Sequence, residues 1–276
     1  MPDRYAVVGH PIAHSKSPRI HGLFARQTGQ DLVYEAMDVE PGRFAAAVGE
    51  FRADGGRGLN VTVPFKEEAW ALAGQRSSRA ERAGAANTLV LDGERPIFGD
   101  NTDGLGLVRD LTVNQGVALE GRRLLLVGAG GAARGVLEPL LEQRPALLVI
   151  ANRTPEKAVE LARLFCDLGH VEGCGFPALE GQRFDLVINA TAAGLHGEVP
   201  PLPADVVAEG GWCYDMMYGS GPTAFVRWAR QQGIDHAVDG LGMLVEQAAE
   251  SFRIWRGVRP LSAPVIAALR AEVTAG

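Results

Sequence analysis

R-Y-A-V-V-G (4–9) is a short apolar run with no room for helical periodicity, which reads as a buried strand. P-R-I-H-G-L-F-A-R-Q-T-G (18–29) then spaces its apolar residues three and four apart, the pattern of an amphipathic helix. The same alternation continues through L-V-Y-E-A-M-D-V, P-G-R-F-A-A-A-V-G-E-F-R-A, G-L-N-V-T-V-P and F-K-E-E-A-W-A-L-A-G. Strand and helix therefore alternate three times, the order of a parallel sheet with helices on its faces. In N-V-T-V-P-F-K (60–66) the strand is expected to stop at Pro64, which has no N–H to give a ladder. A-N-T-L-V-L-D-G-E-R-P-I-F-G-D-N (86–101) reads as a hairpin-like pair with a D-G turn at 92–93.

A helix, G-L-G-L-V-R-D-L-T-V-N-Q-G, leads to a second alternating series that opens at Arg122. L-L-L-V-G-A-G-G-A-A-R-G-V-L-E-P-L-L-E-Q is strand, glycine-rich turn and helix, and A-L-L-V-I-A-N-R-T-P-E-K-A-V-E-L-A-R-L-F repeats the unit. D-L-V-I-N-A-T, W-C-Y-D-M-M-Y and D-H-A-V-D-G supply further strands, with P-T-A-F-V-R-W-A-R-Q-Q-G a helix before the last. The remaining chain is helical. The pattern as a whole predicts two α/β lobes, with C-terminal helices returning to the first.

Composition narrows the function. The 276 residues are 46% hydrophobic and 22% charged, enough for a core in each lobe. A net charge of −6 with no basic stripe argues against nucleic acid. No apolar run reaches the roughly 20 residues of a membrane helix, and a strand starting at Tyr5 leaves no space for a cleavable signal. Cys166, Cys174 and Cys213 fit no paired spacing, which points to buried thiols in a reducing, cytoplasmic setting. His10, His14 and His21 straddle prolines with no acid at ligand spacing, so no metal site is expected.

The chemistry begins at G-A-G-G-A-A-R (128–134), between a strand and a helix. Gly128, Gly130 and Ala133 fit G-x-G-x-x-G/A, in which the first glycine makes the turn and the second admits a pyrophosphate. The third small residue lets helix and strand pack closely, and the helix N-terminus faces the phosphate charge. The next strand ends in Ala151-Asn152-Arg153-Thr154, without the acid that would hold a ribose 2′-hydroxyl. Arg153 instead offers a fork for a 2′-phosphate, so NADP(H) is the expected cofactor, although Arg153 also reads as plain surface and Thr154 as a helix cap.

In the first lobe, Ser17 before Pro18 reads as an N-cap, and Ser15 and Ser17 beside free helix N–H groups also make a carboxylate cradle. Asp103 can cap the helix it starts. Lys66 is conspicuous because the 27 basic residues include only three lysines, Lys16, Lys66 and Lys157. A group that must hold a charge and also surrender a proton can be lysine, whereas arginine keeps its proton in proteins.

G-H-P-I-A-H-S-K-S-P (9–18), N-V-T-V-P-F-K-E, G-A-A-N-T (84–88), G-D-N-T-D-G (99–104), G-A-G-G-A-A-R-G, N-R-T, N-A-T-A-A-G and D-G-L-G-M-L-V-E-Q-A-A-E-S-F together resemble shikimate dehydrogenases, in order and across nearly the whole chain. The resemblance implies an α/β fold of two lobes: an N-terminal α/β substrate domain of residues 1–104 plus 241–276, and a Rossmann-type NADP-binding domain of residues 105–240. It implies NADPH-dependent, reversible reduction of 3-dehydroshikimate to shikimate in aromatic amino-acid biosynthesis. By motif it places Lys66 and Asp103 as the catalytic pair, Ser15, Ser17, Thr62 and Tyr218 around the substrate carboxylate, and Asn87, Asp103 and Gln247 on the ring hydroxyls. Gly128, Ala129, Gly130, Gly131 and Ala132 would hold the pyrophosphate, and Asn152, Arg153 and Thr154 the 2′-phosphate. Thr191, Met216 and Gly240 would line the nicotinamide. The implied partner is a small-molecule substrate, with no nucleic acid and no membrane, in a monomer or homodimer. The rival readings are a quinate/shikimate dehydrogenase using NAD or NADP, and a non-catalytic dinucleotide sensor.

Overall fold

The computed structural model describes residues 2–191, 193 and 197–275, so Ala192 and Gly194 of N-A-T-A-A-G lie outside the described residues. The chain forms two compact units, Met1–Gly106 with Val245–Ala268, and Leu107–Leu244 with Leu269–Gly276.

In the first unit, β1 (Asp3–Gly9), α1 (Ser17–Thr28), β2 (Leu32–Asp38), α2 (Phe44–Ala53), β3 (Gly56–Val61) and α3 (Lys66–Leu72) follow the alternation of the sequence. β4 (Gln75–Arg76) and α4 (Ser78–Ala83) come next, too short to leave a periodic signature. β5 (Thr88–Val90) and β6 (Phe98–Asp100) form the expected antiparallel pair, and α5 (Asp103–Arg109) ends the series. The sheet order is β2-β1-β3-β5-β6-β4. β1 pairs parallel with β2 and β3, and the hairpin then adds antiparallel strands to β3.

Two local expectations change. β3 stops at Val61 rather than at Pro64, and Val63 is 67% exposed. The apolar alternation ran on past the ladder because Thr62 still donates its N–H to the Val8 carbonyl at 3.0 Å before the chain turns away. α1 begins at Ser17 itself, with Lys16 at the N-cap and no side-chain cap bond. Ser17 is thus no cap: it lies within the helix, and its own N–H goes to Ser15 Oγ at 3.3 Å.

In the second unit, β7 (Arg123–Val127), α6 (Gly131–Leu141), β8 (Leu147–Ala151), α7 (Pro155–Phe165) and β9 (Val171–Cys174) form one half of the sheet. β10 (Phe184–Asn189), β11 (Val207–Asp215), α8 (Ala224–Gln231) and β12 (His236–Asp239) form the other. The order β12-β11-β10-β7-β8-β9 is parallel throughout and reverses between β7 and β10, the switch point at which doubly wound sheets bind ligands. Leu124, Leu126, Leu148 and Ile150 enter one core cluster, and Leu125, Val127, Val149 and Ala151 the other. Both faces are covered, which is why these strands read as unbroken apolar runs. β9 was not legible in V-E-G-C. Its Gly173 allows α7 to pack on it, since a Cβ there would lie 2.3 Å from the Ala158 backbone.

α9 (Leu241–Arg256) and α10 (Ala263–Ala275) complete the chain. In the first unit, Phe252 of α9 is fully buried, and Trp255 donates its ring N–H to the Leu89 carbonyl at 3.0 Å. That bond needs glycine at 58, where a Cβ would come within 2.4 Å of the indole nitrogen. Among the described residues no helix is long and apolar enough to cross a membrane. All three cysteines are free.

Candidate active site

Lys66 opens α3 and Asp103 opens α5. The helix dipole disfavours a cation at the first position and favours an anion, so the pair answers a local electrostatic conflict at Lys66. Lys66 Nζ donates to Asp103 Oδ2 at 2.6 Å, with Lys66 30% and Asp103 15% exposed: shielded, yet open to a small ligand. Asp103 does not serve as the cap of its helix, a part taken by Asn101, whose Oδ1 accepts the Asp103 N–H at 3.2 Å. Its carboxylate is left for Lys66 and Asn87.

Hydrogen-bond directions fix how the Asn87 amide meets Asp103. The Thr102 backbone N–H, which can only donate, meets Asn87 Oδ1 at 2.9 Å. The other end of that amide is therefore NH2, and it donates to Asp103 Oδ1 at 2.8 Å. Both carboxylate oxygens of Asp103 are thus engaged, Oδ1 by the Asn87 amide and Oδ2 by Lys66 Nζ.

Around this pair lies a buried polar network that the motifs only partly announce. Gln247 Oε1 accepts from Asn87 Nδ2 at 3.3 Å and from Thr102 Oγ1 at 3.4 Å. Ser251, one turn further along α9 and fully buried, meets Thr88 Oγ1 at 2.7 Å and accepts from Asn60 Nδ2 at 3.0 Å. Asn60 Nδ2 also donates to the Asn87 carbonyl at 3.2 Å, which turns its oxygen to Tyr34, whose hydroxyl donates at 2.7 Å. One network therefore joins Tyr34 to Asp103, through Asn60, Ser251, Thr88 and Asn87. Sequence reading missed Tyr34, Asn60, Thr102 and Ser251. The usable signal was a buried asparagine inside an otherwise apolar strand.

Tyr34 stacks on His21, with ring centroids 4.2 Å apart and planes 4° from parallel. Burial pushes the His21 imidazole down to about 3, against a hydrogen bond to Asn60. His10 has acids in reach after all: Asp38 at 2.8 Å and Glu40 at 3.7 Å. Even so, no group of three or more potential metal ligands occurs among the described residues.

In the second unit, Gly128 ends β7 with φ +112°, a backbone that side chains rarely adopt, and a Cβ there would press on Ala190 at 3.3 Å. Gly130 and Gly131 differ. Neither has a positive φ, and a Cβ at either would meet nothing of the protein. Their smallness keeps open the space over the α6 N-terminus, which has no side-chain cap and no acid in its first turn. Ala129 is partly buried, while Ala132 lies exposed in the first turn of α6. Beyond β8, Asn152 Nδ2 braces the Thr154 carbonyl at 3.0 Å, and Thr154 sits at the α7 N-cap without a side-chain cap bond. Arg153 is exposed and, among the described residues, has no ion-pair partner. These residues fit a dinucleotide with a 2′-phosphate: room at the turn, free N–H groups, and an uncommitted guanidinium.

Thr191 follows β10, and its hydroxyl donates to Asn189 Oδ1 at 2.7 Å. Met216 follows β11, with its N–H on the Asn189 carbonyl at 2.9 Å, and Gly240 follows β12. The structure thus brings these three to neighbouring strand ends. Tyr218 lies two residues past Met216, and burial pushes its phenol up. Thr62 leaves β3 partly buried, four residues before Lys66.

Comparison with known proteins bears on both units. The family model described as "Shikimate dehydrogenase substrate binding domain" matches residues 7–89. "Shikimate / quinate 5-dehydrogenase" matches residues 111–196, and "Shikimate 5'-dehydrogenase C-terminal domain" residues 240–270. The shikimate dehydrogenase (NADP(+)) of Methylococcus capsulatus is 62% identical, over 98% of this chain and 97% of its own. The crystal structure of an Ael1 enzyme from Pseudomonas putida superposes with a TM-score of 0.91 at 50% identity, covering 97% of this chain and 98% of that one. Shikimate 5-dehydrogenase of Thermus thermophilus, solved in complex with NADP(H) and shikimate, gives a TM-score of 0.85 at 36% identity, covering 98% and 99%. A sequence whose likeness runs the length of both units, at identities this high, leaves one assignment: the chain belongs to the shikimate dehydrogenase family of oxidoreductases.

Proposed function

We propose that the protein is a cytoplasmic enzyme that reversibly reduces 3-dehydroshikimate to shikimate with NADPH, a step of aromatic amino-acid biosynthesis. The observation that carries this reading is the Lys66–Asp103 contact of 2.6 Å with Asn87 fixing the carboxylate from its other side. The substrate-holding side chains other than Tyr218 belong to residues 1–104 and 241–276, and the cofactor-holding ones to residues 105–240.

Ser15 and Ser17 at the start of α1, with Thr62, hold the substrate carboxylate, and Tyr218 adds a phenol to that set. Asn87 and Gln247 take ring hydroxyls. NADPH, bound at Gly128–Ala132 with its 2′-phosphate on Asn152, Arg153 and Thr154, supplies the hydride. As the carbonyl oxygen gains charge, Lys66 stabilises it and passes a proton from Nζ. Asp103, held from its other side by Asn87, keeps the Lys66 side chain aimed at that oxygen. In the oxidative direction the same amine takes the hydroxyl proton. The family relationship and the name of the Methylococcus capsulatus relative support NADP as the cofactor.

The test is a spectrophotometric assay of the purified protein with shikimate and with quinate, each against NADP⁺ and NAD⁺. Turnover with shikimate and NADP⁺ above all other pairs is expected. Turnover only with quinate or only with NAD⁺ would overturn the substrate or cofactor assignment, and no turnover at all would favour a sensor.

A further inference from the structure

Three adjacent strands of the second unit end in register on polar residues: Asn189 of β10 opposite Asp215 of β11, and Asp215 opposite Asp239 of β12. All three are buried. Each turns its chain out of the sheet by accepting the backbone N–H two residues on: Thr191 N–H at 3.2 Å, Met217 N–H at 3.1 Å and Leu241 N–H at 3.2 Å. A neutral asparagine is sufficient for that turn, as Asn189 demonstrates. Asp239 pairs with Arg270, whose Nη1 donates to Oδ2 at 2.8 Å.

Asp215 is fully buried and has no ion-pair partner among the described residues. Burial pushes its carboxyl up, while the hydrogen bonds from Met217 and Asn189 to Oδ1 pull the other way, and Oδ2 has no hydrogen-bond partner among the described residues. The turn is not all that the Asp215 acceptor oxygen supports. The Thr191 backbone N–H can only donate, so the oxygen of Asn189 faces Thr191 and its amino group faces Asp215, to which it donates at 3.0 Å. Thr191 Oγ1 donates to the same asparagine oxygen at 2.7 Å. Asp215 Oδ1 therefore determines which way the Asn189 amide points, and that amide fixes Thr191 at both backbone and hydroxyl. The same Oδ1 holds the N–H that follows Met216. Gly240 closes the row, since a Cβ there would come within 2.3 Å of the Met216 carbonyl.

We infer that Asp215 is a positioning residue for the nicotinamide end of the dinucleotide, holding Thr191 through Asn189 and Met216 through the Met217 N–H with one carboxylate oxygen. The inference rests on the proposed NADP site, in which Thr191, Met216 and Gly240 line the nicotinamide. Its consequence is selective: the adenosine and 2′-phosphate end, held by other strand ends, does not depend on Asp215.

The experiment compares the parent protein with Asp215→Ala and Asp215→Asn. Each is titrated with NADPH by fluorescence, and with 2′-phosphoadenosine 5′-diphosphoribose, which lacks the nicotinamide. Asp215→Ala is expected to weaken NADPH about tenfold, the scale of a lost buried hydrogen bond to a charged group, and to leave the fragment within about twofold. Asp215→Asn, which retains an acceptor oxygen, is expected to bring NADPH back to within about threefold of the parent. If Asp215→Ala does not fold, Asn189→Ala cuts the same link one step later and carries the same expected split. Equal weakening of both ligands, or no weakening of NADPH, overturns the inference alone. A parent protein that binds no NADPH overturns the proposed function and this inference with it.

Discussion

Lys66, Asp103 and Asn87 of the first unit hold one another through bonds of 2.6 and 2.8 Å, whereas Arg153 of the second stands exposed with no ion-pair partner among the described residues. The first arrangement is a closed network in which each side chain is a partner of the next, from Tyr34 through Asn60, Ser251, Thr88 and Asn87 to Asp103. The second is built of backbone and empty space: a turn at Gly128, open volume over Gly130 and a helix end without a cap. Deleting a group from a closed network leaves its partners buried and unpaired, so effects there couple. Deleting a free guanidinium removes one interaction with one ligand group and leaves the fold alone.

The largest effect that separates the two belongs to Lys66. Lys66→Ala is expected to lower kcat by roughly 10²–10⁴, the range for a positioned acid or base, while the KM for shikimate changes little. Steady-state assays in both directions check it, and a loss confined to KM would reduce Lys66 to a binding group.

Arg153→Ala comes next. Loss of a charge-assisted contact to the 2′-phosphate should raise the KM for NADP⁺ by about 10- to 100-fold and leave that for NAD⁺ nearly unchanged. Equal losses for both cofactors would show that Arg153 does not read the phosphate.

A third prediction concerns pH and belongs to the first unit alone. Burial pushes His21 down to about 3, so the fold holds it neutral. The unfolded chain takes up that proton below its ordinary value of about 6.5, and stability is lost as pH falls from there toward 3. Between pH 7 and pH 5 the parent should lose about 2 kcal/mol more than His21→Phe, measured by denaturant unfolding. Parallel losses in the two proteins would remove His21 from the account.

Smallest is Ser251→Ala, expected to cost about 1–3 kcal/mol by leaving Asn60 and Thr88 short of a partner. Combined with Asn60→Ala it should deviate from additivity by 0.5 kcal/mol or more, about the threshold for groups in one network. Combined with Arg153→Ala it should add. Additivity in both pairs would dissolve the contrast between the units.

The legible part of this molecule was what repeats or stays local. Two series of alternating strands and helices, the D-G hairpin and the glycine-rich turn all rest on spacings of a few residues, and all appear in the fold. What the sequence hid depends on contacts between distant positions. Asn60 and Ser251 meet across 191 residues, and no local pattern marks either as the other's partner. Ser17 and Asp103 carry good capping residue types, yet Lys16 holds the N-cap position before Ser17, and the Asp103 carboxylate is engaged by Lys66 and Asn87. β3 stopped early for the same reason: apolar alternation reports which face is buried, not where the partner strand runs out.

The central claim is that Lys66 is there to pass a proton and not merely to carry charge. Steady-state kinetics of Lys66→Arg with shikimate and NADP⁺ tests it most directly, because arginine keeps the positive charge beside Asp103 but does not give up its proton. A kcat depressed nearly as far as in Lys66→Ala, with KM close to that of the parent, is the predicted result. Turnover within a few-fold of the parent would contradict it.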